Sequence, residues 1–187
     1  MKNLKPSTWL IGDAIMSDEL LQTAIDLFNQ GDIDGAIEYL DSKLSGNSDS
    51  ARMHHMYAEF ANMKNSEAQE DVVPGRKIMM MYKKAMELDE ENMEYIGDFA
   101  SFALECRRIP VAVKEFQRYA RRLELEDIPV DEILFNASRN IVDAIEVMDP
   151  SKQNPMVQPW LQQALIWAVG GLGYSKDEAV EMLTREL

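Results

Sequence analysis

Apolar positions along this chain recur at intervals of three and four, and runs of β-branched residues alternating with polar ones are nearly absent. That pattern predicts an all-α chain. A first helix carries Leu20, Leu21, Ala24, Ile25, Leu27 and Phe28, with Asp18 as its predicted N-cap and Gly31 as its stop. A second runs from Asp34 through Ala36, Ile37, Leu40 and Leu44 to a break at Gly46. Helices separated by so few residues pack antiparallel. The unit then recurs: residues 51–64 and 75–88 flank a polar stretch at 65–74, and residues 93–107 precede a helix over 110–123. Pro110 suits the first turn there, because its missing N–H has no intrahelical acceptor at that place.

The repeat has a measurable period. Ile78 and Ala112, at matching points of their helices, are 34 residues apart, whereas Ala36 and Ile78 are 42 apart. The extra eight are assigned to the polar loop at 65–74. Small residues let neighbouring helices approach and large ones fill the space between pairs, and one pair alone cannot bury its apolar face. The predicted organisation is an N-terminal segment at 1–16, three helix pairs over 17–125, a capping helix within 126–149, and a linker with a helical hairpin over 150–187. Asp149, Pro150, Asn154, Pro155 and Pro159 mark the linker.

A 34-residue helix pair resembles the tetratricopeptide repeat. Leu20, Ala24, Leu27, Gly31, Ala36 and Leu40 fall where that family places its large, small, large, turn, small and aromatic residues, and residues 31–40, GDIDGAIEYL, match best locally. Ile96, Phe99, Ala100, Ala112 and Phe116 hold corresponding positions in the third pair, and Ala58 and Ala85 in the second, whose exit YKKAMELDEEN is similar to the family's repeat ending. Ser48 and Glu90 stand in place of the family's proline, and Ile78 in place of a small residue.

The resemblance implies a short right-handed solenoid in which first helices line a concave groove. The groove residues it implies are Asp18, Leu21, Ile25, Phe28 and Asn29, then Arg52, His55, Glu59, Asn62 and Met63, then Glu94, Gly97, Asp98, Ser101, Leu104 and Glu105. Five acids face one base, and the lysines and asparagines with which some members clamp a peptide carboxylate are largely absent. The implied ligand is a basic or apolar peptide or protein, and the implied role a scaffold or adaptor similar to the chaperones that hold secretion substrates. Residues 164–183, ALIWAVGGLGYSKDEAVEML, are also similar to the small ubiquitin-associated fold, with Ser175 as N-cap and Glu178 as capping-box partner. The plainer reading makes this hairpin the cap of the array.

Charge sharpens the choice of partner. There are 33 acidic against 19 basic side chains, a formal net charge of -14, which repels bulk nucleic acid and anionic membrane. Cys106 is the single cysteine, so no intrachain disulfide forms, and a reducing compartment, the cytoplasm, fits. The apolar run at 9–11 is too short for a signal peptide. Residues 153–175 carry no charge, yet Pro155, Pro159, Gly170 and Gly171 leave only ten residues between breakers, half of the roughly 20 a membrane span requires.

Candidate chemistry is sparse. His54 and His55 project about 100° apart on a helix and cannot share a metal from one face. Cys106, beside Arg107 and Arg108, is expected to be buried or half-buried and unreactive. No glycine-rich phosphate loop, Cys-X-X-Cys or His-Glu-X-X-His motif occurs, and pairs such as Glu90 with Glu91 read as solvated charge. No catalytic, metal or cofactor-binding residue is assigned, and the chain is not expected to be an enzyme. At least two of Met79, Met80 and Met81 are expected to fill core.

One basic feature stands apart. Lys114, Arg118 and Arg122 repeat every four positions and, with Arg121, make a convex stripe that Arg76, Lys77, Lys83 and Lys84 extend on the preceding second helix. It reads as a solvated outer face, as a contact for an acidic partner or for an acidic tail in a homo-oligomer, or as a nucleic-acid contact. An acidic antagonist that presents carboxylates in place of phosphates is a further alternative.

Overall fold

The computed structural model describes residues 8–45, 49–127, 132–149 and 154–172. Those residues form eight helices and no strand: α1 (Thr8–Asn29), α2 (Ile33–Leu44), α3 (Ala51–Ala68), α4 (Gly75–Leu88), α5 (Met93–Glu105), α6 (Ile109–Leu125), α7 (Glu132–Met148) and α8 (Gln158–Leu172). The all-α class is as expected. No helix among them is long and apolar enough to cross a membrane. The chain divides into two compact units, Met1–Asp89 and Glu90–Leu187.

In the first unit α1 pairs with α2 and α3 with α4, while α2 also lies against α3. The small residues Ala24, Ala36, Ala58 and Ala85 are completely buried, and Leu40 and Ile78 fill space beside them. Asp32 caps α2 by accepting from the Gly35 N–H at 2.9 Å, and Ser50 caps α3 by accepting from the Met53 N–H at 3.3 Å. Phe28 and Phe60 stack with centroids 4.6 Å apart, joining α1 to α3. Lys77 is not on a solvated outer face: it reaches from α4 to Asp41 on α2 at 2.8 Å and lies over the Tyr57 ring. Burial pulls its pKa down, but hydrogen bonding to Asp41 and Tyr57 outweighs that and holds it above the ordinary lysine value.

Two boundaries differ from those predicted. α1 begins ten residues before Asp18, which is therefore an interior helical residue and not an N-cap. Residues 8–17 hold no proline, and Gly12 alone does not stop a helix that gains tertiary contacts further on. α3 also continues past Lys64 to Ala68. Asn65 holds the shortened connection by a two-way clasp, donating to the Val73 carbonyl and accepting from the Val73 N–H, both at 2.8 Å. Relative to α5 and its exit, the eight extra residues divide into five in the longer helix and three in the connection.

The helix starts reproduce the repeat intervals. The N-caps of α2, α4 and α6 are Asp32, Pro74 and Arg108, which are 42 and then 34 residues apart. Turn geometry repeats too. Gly31, at φ 82°, donates to the Phe28 carbonyl, and Asp32 donates to that of Leu27. Arg107, at φ 56°, donates to Leu104 and Arg108 to Ala103, so each donor and acceptor lies 76 residues after its counterpart. An L side chain in this left-handed region is strained where glycine is not. Arg107→Gly is expected to stabilise the second unit by about 0.5–1 kcal/mol, read as an upward shift of the urea midpoint. No shift, or a downward one, would show that Arg107 contributes contacts outweighing its backbone strain.

In the second unit α5 pairs with α6 and α7 with α8, α7 lies against both α5 and α6, and α8 also meets α6. This order of contacts is compatible with helix pairs stacked as a solenoid. α7 lies where the capping helix is expected and also pairs with α8, which starts within the predicted linker. Trp167 of α8 is buried with its ring edge-on to Phe116 of α6, centroids 6.0 Å apart. Residues 173–187, with Ser175 and Glu178 of the ubiquitin-associated resemblance, lie outside the described residues.

Cys106 is exposed, not buried. α5 ends at Glu105, two residues before the predicted stop, so Cys106 becomes its C-cap. Of the methionine run, Met81 is buried, Met79 half-buried and Met80 exposed.

Candidate protein-binding surfaces

The predicted groove residues of the first unit divide between core and surface. The side chain of Asp18 lies outside the described residues. Leu21 is buried at 2% exposure and His55 at 7%, the latter with its ring edge-on to Tyr82, so neither is presented to a ligand. A helix face that meets a neighbouring helix buries its centre, which spacing alone does not reveal. Ile25, Phe28 and Asn62 are half-buried, whereas Asn29, Arg52, Glu59 and Met63 are exposed. His54 is also buried, with Nδ1 2.9 Å from the Ser50 carbonyl.

In the second unit α5 exposes Glu94 and Glu105, half-buries Asp98 and Ser101, and buries Gly97 and Leu104. Leu104 therefore belongs to the core and not to the surface. A Cβ placed on Gly97 would meet the Tyr119 ring at 3.5 Å and Ile133 of α7 at 4.0 Å, which sets α5 close beside α7. From Ile133 the helical period leads along α7 to Asn136, Asn140, Asp143 and Val147, all exposed. Glu94, Asp98, Ser101 and Glu105 follow the same spacing along α5.

Two adjacent helices thus present an acidic stripe and a mixed polar and apolar one. Sequence reasoning missed the α7 residues because it took that helix for a cap, whose outer face has no partner stripe. The signal was present in the spacing of Ile133, Asn136 and Asn140.

The basic stripe of α6 is largely neutralised from within the unit. Lys114 lies 3.4 Å from Glu115, itself buried. Arg118 donates to the Glu90 carbonyl at 2.8 Å and pairs with the Glu90 carboxylate at 3.4 Å and with Glu115 at 3.9 Å. Arg122 pairs with Glu91 at 3.4 Å and Glu126 at 3.0 Å. Glu90 and Glu91, read from sequence as solvated charge, are the acids that answer it. Arg121 is exposed and makes no ion pair among the described residues.

Comparison with protein-family models and with curated proteins gives no match for this chain.

Proposed function

We propose that this chain is a cytosolic protein-binding scaffold, of adaptor or chaperone-like role, that holds a basic and apolar peptide or protein segment against the exposed face of α5 and α7. The observation that carries the reading is that α5 exposes Glu94 and Glu105, with Asp98 half-buried between them, beside α7, which exposes Ile133, Asn136, Asn140 and Asp143. Acids at helical spacing steer and orient a basic helix, and an exposed isoleucine beside them gives an apolar anchor. The net charge of -14 acts in the same direction over longer range. Nucleic-acid contact through α6 is the weaker reading, since Arg118 and Arg122 already face carboxylates. The acidic-antagonist alternative draws on net charge alone.

The test is a titration with a lysine-leucine amphipathic peptide, followed by fluorescence anisotropy at low and high salt. Binding is expected to weaken as salt rises, and Glu94→Lys with Asp143→Lys is expected to weaken it on the order of tenfold at low salt. Unchanged affinity in that double variant would remove the α5 and α7 face from consideration.

A further inference from the structure

Gly97 lies within the acidic stripe of α5, three residues after Glu94 and four before Ser101. It is in the interior of the helix, where glycine gives up more backbone freedom on folding than alanine and brings no side-chain contacts. Alanine would be the more stable residue there.

Glycine is ordinarily required by a positive φ, by lack of room for a Cβ, or by the approach of a ligand to the backbone. None of these applies at Gly97. Among the described residues the glycine with a positive φ is Gly31. A Cβ at position 97 would lie 3.5 and 3.7 Å from two carbons of the Tyr119 ring and 4.0 Å from Ile133 Cγ2, which is van der Waals contact and not overlap. Gly97 is also buried, so no ligand reaches its backbone.

What the missing side chain leaves open is a path for α7. Packed helices commonly shift by about 1–2 Å in response to a ligand. A move of Ile133 towards α5 by even about 1 Å would turn its 4.0 Å contact with a Cβ into overlap, whereas glycine leaves that path clear. Ile133 is 43% exposed and is the apolar anchor of the α5 and α7 face, so such a move carries the anchor towards Glu94 and Asp98.

We infer that Gly97 is a positioning residue for that face: by carrying no side chain it lets α7 close on α5 when a basic and apolar segment binds, so that Ile133 and the carboxylates of α5 hold the same segment. The inference rests on the binding function proposed above for α5 and α7.

The test compares the full chain with its Gly97→Ala variant, using the lysine-leucine amphipathic peptide at low salt, fluorescence anisotropy for affinity, and urea unfolding followed by helical ellipticity for stability. The two readouts are expected to move in opposite directions. Alanine fits the unliganded arrangement, so the urea midpoint should rise. It obstructs the closed one, so peptide binding should weaken on the order of fivefold. A glycine with a merely structural role would change the midpoint and leave the affinity alone, and unchanged or tighter binding in Gly97→Ala would overturn the inference. A lower midpoint would overturn it too, by showing that the unliganded packing already excludes a Cβ. If the unsubstituted chain does not bind the peptide, the α5 and α7 face itself falls, and this inference with it, before any variant is compared.

Discussion

Replacing Phe116 by alanine is expected to lower the unfolding free energy of the second unit by about 3–5 kcal/mol. Phe116 is 1% exposed, and α6, which carries it, lies against α5, α7 and α8. Truncation removes the transfer energy of the ring and leaves a void that three neighbouring helices cannot all close. It also removes the edge contact with Trp167, so tryptophan emission should move with the loss of stability. The measurement is a urea titration followed by helical ellipticity and by fluorescence. A loss below about 1 kcal/mol would mean that α8 collapses onto α6 without the ring, and that the ring is not the joint between the two pairs.

The same substitution at Leu40 is expected to cost the first unit about 2–5 kcal/mol. Leu40 is completely buried on α2, which lies against both α1 and α3. It precedes Phe116 by the 76 residues that also separate the two turns, so the two side chains perform one task in different pairs. The smaller loss reflects the smaller side chain. Tyr39, next to it and only half-buried, supplies the comparison: Tyr39→Ala should cost clearly less, and equal losses would remove the assignment of Leu40 to the large repeat position. Circular dichroism during urea unfolding is sufficient to rank them.

These two positions show how much of the fold was legible. Ala36, Leu40, Ala112 and Phe116 could be assigned because a helix pair must alternate small and large residues to pack, and the spacing of that alternation is written in the chain. The N-caps at Asp32, Pro74 and Arg108 follow it. The extent of α1 and α3 was not legible, because helix length beyond the packed stretch is decided by weak local preferences and by contacts such as the Asn65 clasp on Val73. α8 was hidden for a related reason. Pro155 and Pro159 read as breakers, but Pro159 falls in the first turn of α8, where a proline is tolerated.

The candidate surfaces were legible as residue types and less so as places. Leu21, His55 and Leu104 share a helical face with exposed neighbours, yet they are themselves buried, and only the packed arrangement distinguishes the two cases. Arg118 and Arg122 look alike with Arg121 in the sequence, all being arginines of one helix. What separates them is which ones Glu90, Glu91 and Glu126 can reach.

The turns at 31 and 107 have a consequence for engineering. The chain reverses there through main-chain hydrogen bonds, with Gly31 and Asp32 returning to Phe28 and Leu27, and Arg107 and Arg108 to Leu104 and Ala103. At the second of these the N-cap makes no side-chain hydrogen bond. The side chains of residues 107 and 108 are thus replaceable in a way that those of the hairpin faces are not. A short epitope or a fluorophore attachment site grafted at that reversal should be carried by the second unit without disturbing the packing of α5 on α6.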